Sequence, residues 1–101
     1  MNDKIKIYEA KTFKQRLLGL MFKKNINYAL LFKNCNSIHT FFMRENIDVI
    51  MTDKNNKILF IKKNMKKNRI ILPKKNVYNT YEFPANFIKN IKIYDILKVR
   101  D

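Results

Sequence analysis

A single glycine, Gly19, among 101 residues removes two phosphate-binding devices. The dinucleotide fingerprint and the P-loop each need at least two glycines to bring backbone N–H groups against phosphate. A single cysteine, Cys35, allows no internal disulfide, whereas small secreted domains commonly carry several. Together Cys35 and the lone histidine, His39, fall short of the four ligands of a structural zinc site. Asp and Glu number only eight, with no local triad for a hard cation and no nearby pair suited to glycoside hydrolysis. No metal or cofactor is expected. The longest unbroken apolar run, Tyr28-Ala29-Leu30-Leu31-Phe32, is far shorter than the ~20 residues that cross a bilayer. The opening Met1–Ile7 alternates polar and apolar residues and has no signal-peptide core. The expectation is a cytoplasmic protein with no membrane span.

What is present points to one folded unit. A hydrophobic fraction of 47% and an aromatic fraction of 13% supply a core, and the length suits a single domain over residues 1–101. The net charge of +14 has two readings. One is a polyanionic partner, since Lys and Arg displace counterions from nucleic acid. The other is composition: Lys, Asn and Ile, whose codons are rich in A and T, make up 46 of the 101 residues. Arg, the better residue for forked contacts to phosphate and guanine, occurs only four times.

Periodicity divides the chain into one helix and a series of strands. Lys4–Tyr8 alternates as a short strand. Thr12-Phe13-Lys14-Gln15 fits a capping box, in which the Thr12 hydroxyl and the Gln15 side chain each accept an N–H of the other residue. Phe13, Leu17, Leu20 and Met21 then fall on one face, predicting the main helix over 12–22. Tyr28–Lys33, Ser37–Met43, Ile47–Asp53 and Lys57–Lys62 read as strands, with turns at 44–46 and at Asp53–Lys57. Apolar residues on both faces of the middle strands require cover on both sides. A basic loop spans Lys62–Lys75 and Val77–Phe83 is a further strand. Pro84 suits the start of a short helical turn over 84–90, and Ile96–Val99 is a last strand. The predicted class is α+β, a compact β-rich domain with antiparallel sheets in a sandwich- or barrel-like arrangement.

Several polar residues are candidates for chemistry. Cys35 and His39 share a face of a regular strand but lie about 13 Å apart at ~3.3 Å per residue, too far for a nucleophile–base pair. A hairpin turning at 44–46 would place His39 and Asp48 on adjacent strands. That pair has a functional reading, with Asp48 orienting His39, and a structural one, with each satisfying nearby backbone groups. Arg16, three residues before Gly19, reads best as a partner for a carboxylate such as Glu82 or Asp48, or for an anionic ligand. Lys62, Lys63, Lys66, Lys67 and Arg69 form the densest basic run, a nucleic-acid candidate that lacks interleaved aromatics and is equally a solvated loop.

The segments Ala10-Lys11-Thr12, Arg16-Leu17-Leu18-Gly19-Leu20-Met21, Ser37-Ile38-His39-Thr40-Phe41-Phe42-Met43, Ile47-Asp48-Val49-Ile50 with Asp53, Glu82-Phe83-Pro84-Ala85 and Asp95-Ile96-Leu97 resemble, in this order, the family called domain of unknown function 192. The chain departs from the family where Ala29, Asn86 and Tyr94 replace frequent glycines, and where Phe42 replaces a frequent Trp. The resemblance implies a β-rich domain with one main helix and no particular activity. It marks Arg16, His39, Thr40, Met43, Asp48 and Glu82 as a candidate ligand site, with no catalytic residue assigned. The leading reading is a non-enzymatic binding or accessory module with a small-molecule pocket around Arg16, His39 and Asp48. A small hydrolase using His39 and Asp48, and a basic nucleic-acid-binding module, are the alternatives.

Overall fold

The computed structural model describes residues 5–98 of the chain. Its elements are β1 (Lys6–Glu9), α1 (Phe13–Leu18), β2 (Tyr28–Lys33), β3 (Ile38–His39), β4 (Ile47–Thr52), β5 (Ile58–Met65), β6 (Ile70–Ile71) and β7 (Asn79–Pro84). Five strands form one mixed sheet in the order β1-β2-β7-β4-β5, parallel only between β1 and β2. β3 and β6 form a separate two-stranded antiparallel ladder. The large sheet is open, with β1 and β5 at its edges, so the sandwich- or barrel-like expectation is corrected to an open mixed sheet.

Alternation along the central strands builds two cores. Val49 and Met51 of β4 face one cluster with Leu20, Ile26, Met43, Met65 and Ile71. Ile50 faces the other, with Ala29, Ile58, Tyr81, Phe83, Ile88 and Leu97. Every residue of β4 is buried, as its two-sided apolar pattern requires. Each large apolar side chain buried in this way contributes about 1.5–3 kcal/mol. The α1 region and the small ladder cover the first face, while residues 85–97 cover the second.

Asparagine does the work that glycine does elsewhere. Eight asparagines have positive φ, among them Asn56, Asn64, Asn68 and Asn86. Their short polar side chains tolerate the left-handed region that most residues avoid. Three aromatic residues, Phe22, Phe42 and Tyr94, also have positive φ.

The capping box closes as its residues predict: the Gln15 N–H donates to Thr12 Oγ1 at 3.0 Å, and the Thr12 N–H to Gln15 Oε1 at 3.0 Å. The helix itself is shorter than the predicted 12–22. Gly19 adopts φ 49°, ψ −127°, a conformation that cannot continue an α-helix, and α1 ends at Leu18. No residue of α1 is buried. Phe13 is 82% exposed and Leu17 58%, so the inward face begins only with Leu20, after the turn.

Other elements differ for identifiable reasons. Ser37–Met43 contributes only the two residues of β3, which pair with β6 across the chain rather than with β4. β6 lies inside the stretch read as a basic loop, and β5 runs on to Met65. Residues 84–90 form no helix, since Asn86 turns the chain at φ 64° immediately after β7. Ile96 makes a single bridge to Lys57. Lys4 and Val99, placed in strands by periodicity, lie outside the described residues. Among the described residues no helix is long and apolar enough to cross a membrane.

Candidate functional site

Glu82 stands on β7, between Leu30 of β2 and Val49 of β4 in the register of the sheet. Strand alternation turns its side chain to the face that carries α1, opposite the face taken by Tyr81 and Phe83. There it forms the inner wall of a pocket of about 110 Å³, whose lining includes Arg16, Gly19, Phe32, Cys35, His39 and Met43. Glu82 is 6% exposed, and its Oε1 has no hydrogen-bond partner. Burial disfavours the charged form and pushes its carboxyl up to about 7. An unpaired buried polar atom costs about 1–3 kcal/mol, so this one marks a place where a donor belongs.

Gly19 lies against that carboxyl and the Phe32 ring. A Cβ there would stand 3.4 Å from Glu82 Oε1 and 3.3 Å from Phe32 Cζ. The same glycine ends α1, so one residue both stops the helix and opens the pocket.

Four of the six candidate ligand residues come together here: Arg16, His39, Met43 and Glu82. Among the described residues Arg16 pairs with no carboxylate. Its Nη1 donates to the Lys33 carbonyl at 2.9 Å, which ties α1 to the end of β2 at the pocket wall. His39 is exposed, its Nδ1 accepts from the Phe41 N–H at 3.3 Å, and its ring stacks on Phe41 at 5.0 Å. Met43 is buried. Cys35 also lines the pocket, with its thiol donating to the Ser37 carbonyl at 3.2 Å.

The other two stand elsewhere. Thr40, immediately after β3, is buried against the turn that joins β5 to β6; its hydroxyl donates to the Lys66 carbonyl at 2.7 Å and accepts the Arg69 N–H at 2.8 Å. Asp48 is fully buried, and alternation along β4 puts it on the face opposite Glu82. The β4–β5 register shifts at this point, and Asp48 Oδ1 accepts the Asn64 N–H at 2.7 Å. Its Oδ2 accepts the Ile88 N–H at 3.0 Å, pinning the segment after β7 to the sheet. The expected hairpin at 44–46 is thus corrected, and with it the His39–Asp48 pair: the two residues sit in different sheets with their partners already taken.

The basic run behaves as an edge. Lys62 and Lys63 are exposed on β5, and Lys66, Lys67 and Arg69 occupy the exposed turn towards β6. Lys62, Lys66 and Arg69 border an open groove of about 520 Å³ in which Lys74 lies 4.2 Å from the Phe60 ring. Among the described residues, no three His, Cys, Asp or Glu side chains gather as metal ligands would.

The sequence signal for the pocket was partial. Gly19 stood out as the lone glycine beside Arg16, but its contact with Glu82 spans over sixty residues and leaves no local trace. Phe32 reads in the sequence only as a strand residue, and Ser37 only as the start of the Ser37–Met43 segment.

Comparison with known proteins gives the same architecture. A UPF0127 protein of Thermococcus kodakarensis is 37% identical over 94 residues, which are 87% of this chain and 59% of that protein. A UPF0127 protein of Pyrococcus horikoshii is 40% identical over 89 residues, 82% of this chain and 76% of its own. The chain thus spans about three-fifths of the first relative's length. Two crystal structures share the fold. A protein of unknown function from Novosphingobium aromaticivorans matches with TM-score 0.70 at 13% identity, over 81% of this chain and 64% of that one. A Sinorhizobium meliloti protein described as a candidate transcription regulator matches with TM-score 0.67 at 18% identity, over 78% and 67%. The model of the DUF192 family, described as an uncharacterized ACR, matches residues 1–99, and the chain belongs to that family.

Proposed function

We propose that this domain is a binding module for a small molecule whose head group enters the pocket beside α1 and donates a hydrogen bond to Glu82. The observation that carries this reading is the Glu82 Oε1 atom, buried, without a partner and facing the pocket. A cavity of about 150 Å³ accommodates benzene, so about 110 Å³ suits a head group of roughly five heavy atoms. Leu20, Phe32 and Met43 supply apolar walls, Arg16 a cationic wall and Glu82 the polar anchor. That division, mostly apolar with a few placed polar groups, is what small-molecule sites use. No nucleophile–base pair is assembled in the pocket, which favours binding over catalysis.

Native mass spectrometry of the chain purified from its own host, against its denatured mass, tests the reading. A non-covalent adduct that disappears in Glu82→Gln is expected. A bare mass, together with no thermal shift for wild type over Glu82→Gln with acetamide, methylammonium or guanidinium, would overturn it.

A further inference from the structure

Two phenylalanines hold unfavourable backbone conformations in order to show their rings to solvent. Phe22 has φ 65° and is 58% exposed; Phe42 has φ 62° and is 65% exposed. Bulky residues rarely enter this region, and each such outlier costs about 1–3 kcal/mol unless its surroundings enforce it. Here they enforce each other: the Phe22 N–H donates to the Phe42 carbonyl at 3.1 Å, and the rings stack at 5.8 Å. Nothing in the core requires either ring.

The pair belongs to a larger apolar rim. Phe42 follows Phe41, whose ring stacks on His39 at the pocket wall. Leu17 lines the same pocket, and Phe13 lies one turn before it on the solvent face of α1. Exposed apolar side chains thus flank the pocket on two sides, Phe13 and Leu17 on α1 and the Phe41, Phe42 and Phe22 rings beyond His39.

Cations predominate around this rim, with Glu9 beside it paired to Lys33 at 3.6 Å. From Ala10 to Arg44 the sequence holds Lys11, Lys14, Arg16, Lys23, Lys24, Lys33 and Arg44, and no Asp or Glu. The next carboxylate, Glu45, is occupied by the backbone N–H groups of Asn25 at 2.7 Å and Ile26 at 3.3 Å.

We propose that this rim docks on an anionic lipid surface, with the phenylalanines and Leu17 entering the headgroup region and the lysines meeting lipid phosphate. Apolar side chains displayed beside lysines are how peripheral proteins hold an interface, and anionic headgroups match the missing carboxylates. A nucleic acid fits less well. Phe22 and Phe42 turn a ring face to each other rather than to a base, Leu17 offers no stacking plane, and five of the seven cations are Lys. The proposal concerns the rim alone and does not depend on what fills the pocket.

Vesicle sedimentation of the full chain tests it, with equimolar phosphatidylglycerol and phosphatidylcholine against phosphatidylcholine alone. Binding to the anionic vesicles only is expected, and it should be lost at about 1 M salt, where screening acts within ~3 Å. The double variant Phe22→Asn, Phe42→Asn suits the local backbone, since Asn accepts positive φ. It should stay folded by circular dichroism and lose about tenfold or more of the partitioning. Changing Lys89 and Lys92 to Gln, in the segment that covers the opposite face of the sheet, should leave most of it. The chain has no Trp, so Phe42→Trp gives an independent readout: its emission should shift to the blue on anionic vesicles. Absence of binding, an unshifted Trp, or a double variant that binds like wild type would each overturn the proposal. Retention on an oligoribonucleotide, abolished by the double variant with no vesicle binding, would overturn it in favour of nucleic acid.

Discussion

Gly19 and Glu82, 63 positions apart in the chain, meet so closely that a methyl group on Gly19 would stand 3.4 Å from the Glu82 carboxyl. The positive φ at that position, which L side chains rarely adopt, is why the only glycine of the chain sits at the end of α1. The peptide turns away from the helix there, and the space left by the absent side chain is the space that the carboxyl faces.

Gly19→Ala therefore meets two penalties, the backbone conformation and the crowding of the Phe32 ring. We expect a loss of about 1–3 kcal/mol in urea denaturation. Gly19→Asn should be no better, because ψ −127° lies far from the left-handed helical well that Asn tolerates. An unchanged midpoint for Gly19→Ala would mean that the turn relaxes freely.

The buried Glu82 carboxyl gives the fold a pH dependence of unusual sign. Its folded value of about 7 lies above the ordinary carboxylate value of 4.5. Between these two the folded chain holds a proton that the unfolded chain has released, so stability falls as pH rises from about 4.5 to about 7 and levels off above. The separation corresponds to about 3 kcal/mol. Glu82→Gln removes this dependence: relative to wild type it should gain stability at pH 8 over pH 5. A constant difference between the two proteins across that range would show that Glu82 does not titrate this way.

Asp48 and His39 should respond in opposite ways to truncation. Asp48→Ala leaves the buried Ile88 N–H and the more accessible Asn64 N–H without their acceptor and should cost about 2 kcal/mol or more. His39→Ala, at an exposed position, should change stability by about 0.5 kcal/mol or less. Thermal denaturation of the two variants checks both. A mild Asp48→Ala would free that residue for a role in binding.

Local signals carried much of the architecture. The Thr12–Gln15 capping box, the strand Tyr28–Lys33 and the turn at Asp53–Lys57 follow from neighbouring side chains and backbone chemistry, and all three stand as read. Near-absence of glycine had a legible consequence too, since left-handed positions had to fall to other residues, chiefly asparagine. Tyr94, where the family often has Gly, indeed adopts φ 74°.

Partner choice between strands was not legible. The short spacing between β3 and β4 suggested a hairpin, yet β3 pairs with β6 thirty residues on. Alternation says which residues share a face, but a one-residue difference in register exchanges the faces. For that reason Asp48 and Glu82 looked equivalent in sequence, while the sheet turns Glu82 into the pocket and Asp48 into the opposite core. The sequence by itself determined the β-rich class, the capping box, several strands and the family, because these depend on composition and on neighbours within a few residues. Only the tertiary structure decided that the helix stops at Gly19, that Glu82 is left without a partner, and that Phe13, Leu17, Phe22 and Phe42 face solvent. Those outcomes depend on contacts between distant segments, whose energies no local pattern records.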